Sequence, residues 1–198
     1  MRVNFYAEDG TLMTLPMTVT AGGSSISTAA GAVERTLAPN ATMIVETDSS
    51  SSATTVGWAD VRSASTVSGY AIFRQKNGDG SEYEGTAVLD ARAPTSVLLP
   101  YDNSNGFSTG VALVNLSSST ADVVAILRDD NGAQLGQVPF SMAAGGHTSF
   151  SLPDRFAAIA GRRGVVEFQT TQAAGLAALG LRFNPTLSFT SIPVAVRP

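Results

Sequence analysis

Five short stretches in the first half of the chain recur in the same order in the second half, and this duplication constrains the fold more than any other feature. Phe5-Tyr6-Ala7-Glu8-Asp9-Gly10 has its counterpart in Leu127-Arg128-Asp129-Asp130-Asn131-Gly132, and Leu15-Pro16 in Val138-Pro139. Leu37-Ala38-Pro39-Asn40-Ala41-Thr42 aligns with Met142-Ala143-Ala144-Gly145-Gly146-His147. Gly57-Trp58-Ala59-Asp60-Val61-Arg62-Ser63 aligns with Gly164-Val165-Val166-Glu167-Phe168-Gln169-Thr170, and Tyr70-Ala71-Ile72-Phe73-Arg74 with Leu179-Gly180-Leu181-Arg182-Phe183. The order predicts two homologous modules, 1–92 and 93–198.

Each module reads as strands. Val111-Ala112-Leu113-Val114-Asn115, Val123-Val124-Ala125-Ile126-Leu127 and Val165-Val166-Glu167-Phe168 are strand-length apolar or alternating runs. Between such runs lie Asp9-Gly10, Asn77-Gly78-Asp79-Gly80, Asn105-Gly106 and Asn131-Gly132, which favour tight hairpins because Gly and Asn tolerate positive φ. The best helical candidate is 153–160, one or two turns stopped by Gly161. The expected fold is all-β, with two tandem antiparallel β-sandwich modules. Ser96 to Asn115 supplies module two with two strands before its first match to module one, so module one is expected to lack its first two strands. Such a sandwich exposes a sheet edge, to be filled by upstream sequence or by another chain. Module one also carries a Gly/Ser-rich insertion near 19–35, expected as a surface loop with a small extra element.

Composition narrows the chemistry. The 198 residues include no Cys and one His, which removes disulfides, thiolate metal sites and cysteine nucleophiles. Only 14% are charged, with a net charge of −4, and an acidic chain lacks the basic field a nucleic-acid binder needs. No apolar run is long enough to span a bilayer, and 1–9 has no signal-peptide core, so the chain reads as cytoplasmic or as a piece of something longer.

Thr109-Gly110-Val111-Ala112-Leu113-Val114-Asn115, Arg128-Asp129-Asp130-Asn131-Gly132, Gly145-Gly146-His147-Thr148-Ser149-Phe150 and Phe189-Thr190-Ser191-Ile192-Pro193-Val194 give the chain a recognisable frame. It resembles tandem immunoglobulin-like modules of secreted and surface proteins in acidobacteria and related soil bacteria, over most of 93–198 and more loosely over 3–91. The resemblance implies an extracellular or cell-surface location, with a signal peptide upstream of this chain. The shared motifs are framework residues, and the resemblance transfers no catalytic set.

His147 with Ser149 or Ser151 suggests nucleophilic catalysis, but its repeat partner is Thr42, which is no general base. Asp60 and Glu167 hold equivalent repeat positions and are expected as outward residues on strands; Glu82 and Glu84 share a strand face. Oxygen-rich turns make calcium the one conceivable cofactor, with Asn77, Asp79 and Glu82 as ligands and Asp129-Asp130-Asn131-Gly132 as a second cluster, although neither fits an EF-hand. Arg128, Arg162 and Arg163 suggest an anion patch, against the plainer role of capping a helical turn. Carbohydrate binding needs exposed aromatics beside amides and carboxylates, which points to Tyr101, Asp102, Asn103, Asn105 and Phe107. Trp58 and Tyr83 are further candidates, with Trp58 expected in the core.

The leading expectation is a non-enzymatic extracellular segment, a spacer, adhesive or display module of a larger bacterial protein. Its expected partners are other domains of the same polypeptide or neighbouring chains at an open sheet edge, with neither nucleic-acid binding nor membrane insertion. A carbohydrate-binding accessory module is the alternative, and a fragment of a secreted hydrolase the second.

Overall fold

The computed structural model describes residues 1–48, 55–76, 78 and 80–197. It is all-β: its regular elements are antiparallel strands, apart from one helical turn and one 3-10 turn. The chain divides into two compact units, Met1–Val67 and Ser68–Pro198, whereas the repeat pattern places the module boundary at 92/93.

The first unit contains β1 (Arg2–Ala7), β2 (Leu15–Ala21), β3 (Ser24–Ala30), β4 (Ala32–Glu34), β5 (Met43–Thr47) and β6 (Gly57–Arg62). They form two three-stranded sheets, β4-β1-β6 and β3-β2-β5. Val3 and Phe5 alternate with outward-turned residues and meet Met17, Val19 and Val33 in a buried core. The stretch expected as a loop near 19–35 is therefore mostly strand. Gly22 and Gly23, both at positive φ, turn β2 back along β3, and β4 takes the edge beside β1. Ser and Thr on β3 hide its strand character because all but its last residue are exposed.

The second unit begins with the hairpin β7 (Tyr70–Lys76) and β8 (Glu82–Val88). There follow β9 (Ser96–Asp102), β10 (Ser108–Asn115), β11 (Ala121–Asp129), β12 (Gln134–Met142), β13 (His147–Ser151), β14 (Arg163–Thr170), β15 (Leu176–Phe183), β16 (Phe189–Ile192) and β17 (Ala195–Val196). Sheets β13-β10-β15-β16 and β12-β11-β14-β9-β17 sandwich a core of, among the described residues, sixteen buried side chains, including Leu99, Leu113, Val123, Leu127, Val166 and Phe168. The predicted helical stretch is one turn, α1 (Leu152–Arg155), then a 3-10 turn over Ala157–Ile159; Leu152, Phe156 and Ile159 join the core. The hairpin β7–β8 lies against β16, with the Phe73 ring 6.4 Å from Phe189.

The two units share one ladder. β1 pairs with β6 so that Ala7 faces Gly57 and Phe5 faces Ala59; β11 pairs with β14 so that Asp129 faces Gly164 and Leu127 faces Val166. These are the residues matched in the sequence repeat. The turns after them agree too: the N–H of Gly10 donates to Ala7 and that of Gly132 to Asp129, with both glycines at positive φ. Elsewhere the units part. Pro139 pairs with β11, whereas Pro16 pairs with β3 in the other sheet.

Candidate functional site

The loop expected to bind sugar, 101–107, begins on the last two residues of β9 and returns into β10. Asn105 and Gly106 occupy the central positions of its turn at φ 53° and 79°, closed by the Phe107 N–H on the Ser104 carbonyl. Asp102 anchors its base. Its carboxylate accepts from Arg182 Nη2 at 2.7 Å, Arg163 Nε at 3.1 Å, and the Ser104 hydroxyl and amide at 2.7 and 3.1 Å. Burial alone would raise this carboxyl; the bonds from Arg182, Ser104 and Arg163 outweigh it and hold the group well below the ordinary carboxylate range. Asn103 is buried and bridges the Thr109 amide to the Ile159 carbonyl.

This geometry does not make an aromatic platform. Tyr101 is 4% exposed, because Val97, Leu99 and Tyr101 share the core face of β9; its hydroxyl donates to the Arg128 carbonyl. Phe107 is half-buried, and the Arg182 guanidinium lies 3.6 Å from its ring centre, on a face a sugar would need. Beside the loop lies an open polar cleft of about 470 Å³, lined by Ser104, Asn105, Asp129 to Asn131 and Gly161 to Arg163. Arg182 is the residue the sequence reading missed: it has the parity of Leu176 and Ala178 on β15, the row that meets the core, and stands opposite Thr109 of β10.

Glu167 departs from expectation. It turns to the outer face of its sheet while Val166 and Phe168 turn in, yet it is only 1% exposed. Ser96 Oγ, Gln169 Nε2 and Arg197 Nη1 donate to Oε1 at 2.8, 2.8 and 2.7 Å, and Arg128 stands 3.6 Å from Oε2. Burial opposes the charge of Glu167, but these donors prevail and its pKa is lowered. Asp102 accepts from donors on both oxygens, and Glu167 on Oε1 alone, its buried Oε2 facing Arg128 without a hydrogen bond; both arrangements hold the charged form and offer little basicity.

The other candidates disperse. Asp60 pairs with Arg62 in the first unit, and Glu167 belongs to the second. Trp58, expected in the core, turns outward and stacks on Tyr6 at 4.6 Å. On β6 it is Ala59 and Val61 that turn inward, opposite Phe5 and Val3. His147 opens β13 opposite Val114, with Ser149 and Ser151 at alternate positions along the same strand and Ser151 near Ser108. Arg163 is committed to Asp102, and the Arg162 carbonyl accepts from Asn103.

Asn77 and Asp79 lie outside the described residues. Glu82 pairs with Lys76 and Arg74, and Glu84 with Arg74. Tyr83 is half-buried on β8. Asp129 Oδ1 caps its own turn by accepting from the amides of Asn131 and Ala133. Among the described residues no three His, Cys, Asp or Glu gather as for a metal ion. Nor is any helix there long and apolar enough to cross a membrane. Comparison with protein-family models, curated proteins and solved structures gives no match for the chain.

Proposed function

We propose that the chain is a non-enzymatic segment of a larger exported bacterial protein, built from two homologous sandwich repeats and working through surface contact as a spacer, adhesive or display module. One observation carries this reading. The hairpin β7–β8 turns Phe73 toward Phe189 and leaves Tyr70, Ile72 and Val88 together on its other face, Tyr70 68% and Val88 78% exposed. A paired strand surface with an uncovered apolar row is suited to contact with protein. The repeat part of the proposal is supported by the common register of β1–β6 and β11–β14.

The test is sedimentation velocity across a concentration series, with the triple variant Tyr70→Ser, Ile72→Ser, Val88→Thr alongside. The expected outcome is concentration-dependent association that the variant abolishes while its urea midpoint stays unchanged. A chain that is monomeric throughout, or a variant that unfolds, would count against the reading.

A second reading, carbohydrate binding, moves to the first unit. Tyr6 and Trp58 stack on the outer face of β1–β6 beside Asn4, Asp60 and Arg62. Retention on one polysaccharide of a plant, fungal and bacterial panel, lost in Trp58→Ala, would favour it.

A further inference from the structure

The edge of β6 is where the shared ladder stops being shared. In the second unit β14 lies between β11 and β9; in the first, the sheet order β4-β1-β6 leaves β6 outermost among the described strands. The direction of its backbone groups follows from β1. The Phe5 N–H donates to Gly31 and its carbonyl accepts from Met13, so Phe5 and Val3 face away from β6, while Asn4 and Tyr6 bond to Asp60 and Trp58. Ala59 and Val61 therefore aim their N–H and C=O groups at the open edge. The equivalent residues of β14, Val166 and Phe168, meet Leu99 and Val97 there.

The core beneath that edge is also uncovered. Val166 and Phe168 are fully buried under β9, whereas Ala59 is exposed and Val61 half-buried although both turn inward. Ala59 and Val61 are smaller than their counterparts, which leaves room for large side chains on a neighbour.

We infer that the free edge of β6 accepts one antiparallel β-strand donated by a separate extended polypeptide segment, with large apolar residues opposite Ala59 and Val61, in the register that β9 adopts on β14. Main-chain bonds supply affinity, and the two inward side chains supply selectivity. The inference rests on the homologous-repeat reading proposed above.

The probe is a labelled peptide with the sequence of 95–103, added in trans to the full chain and followed by fluorescence anisotropy. Saturable binding is expected. Asp at the peptide positions of Val97 and Leu99 should weaken it at least about tenfold, as should N-methylation at Leu99, whose N–H faces the acceptor. N-methylation at Leu98, which faces away, should not. On the protein side, Ala59→Pro removes an edge-facing N–H without touching the β1 ladder, and Pro is tolerated on such an edge. It should abolish binding with the circular dichroism spectrum unchanged.

No saturable binding, or binding indifferent to Leu99 N-methylation, would overturn the inference. Self-association through β6 that shuts out the peptide would overturn the donated segment in favour of a second copy. Association lost in the β7–β8 triple variant, with no peptide binding, would leave the proposed function standing and this inference refuted.

Discussion

A Cβ atom on Gly57 would lie 2.0 Å from the carbonyl oxygen of Tyr6, and one on Gly164 would lie 2.0 Å from that of Arg128. Tyr6 and Arg128 are repeat partners, as are the two glycines, so each unit uses the same close backbone approach to start its ladder. Alanine at either position forces two backbones apart. Gly57→Ala and Gly164→Ala should each destabilise their own unit by about 2 kcal/mol. Gly136 is the control: it lies on β12 with open space around its Cβ direction, and Gly136→Ala should fall within about 0.5 kcal/mol of the parent. Urea unfolding of the three variants measures this. Equal midpoints for Gly164→Ala and Gly136→Ala would show that the approach at Gly164 relaxes freely.

At the scale of elements, Asp102 ties β9, β14 and β15 together through Arg163 and Arg182. Its folded-state pKa lies below the unfolded one, so its contribution is complete above the unfolded value of about 4 and is lost as pH falls from there through the folded value. Asp102→Asn should be less stable than the parent at pH 7. The two stabilities should converge as pH falls below about 4, read from urea midpoints at each pH. A constant gap down to pH 2 would mean the bonds to Arg163 and Arg182 do not favour the ionised form. Such connections show what sequence reading could reach. The turns at Asn105-Gly106 and Asp9-Gly10 were legible, because a positive φ is a local demand that only a few residues meet. The core strands of the second unit were legible from their apolar runs and alternation. The strand β3 was not, since Ser24–Ala30 has no apolar alternation and owes its extension to pairing with β2. Tyr101 was misread as a loop residue although its parity with Val97 and Leu99 marks it as core. The burial of Glu167 was invisible locally, because Ser96 and Arg197, which cover it, come from strands distant in sequence or from the end of the chain.

Across the whole molecule, the two units differ in how completely their ladders are enclosed. Among the described residues, β9 flanks β14 in the second and sixteen buried side chains fill the sandwich, whereas in the first β6 is an edge over a core of five. Burial of apolar surface is the main term opposing chain entropy, so opening the first unit exposes less and costs less. Hydrogen exchange should therefore grade the chain. Amides of β10, β11 and β14 should exchange at least about tenfold more slowly than those of β1 and β6, with β3 fastest of all the strands, since a difference of about 1.4 kcal/mol in opening energy already gives that factor. The amides of Ala59 and Val61, aimed at the open edge, should be among the least protected of β6 and should gain most when the peptide of 95–103 is added. The paired amides of Trp58 and Asp60 serve as the internal comparison, because their bonds to β1 exist with or without it. Equal protection of β6 and β14 in the isolated chain would show that a single cooperative opening governs both, and that the unfilled edge costs the first unit nothing.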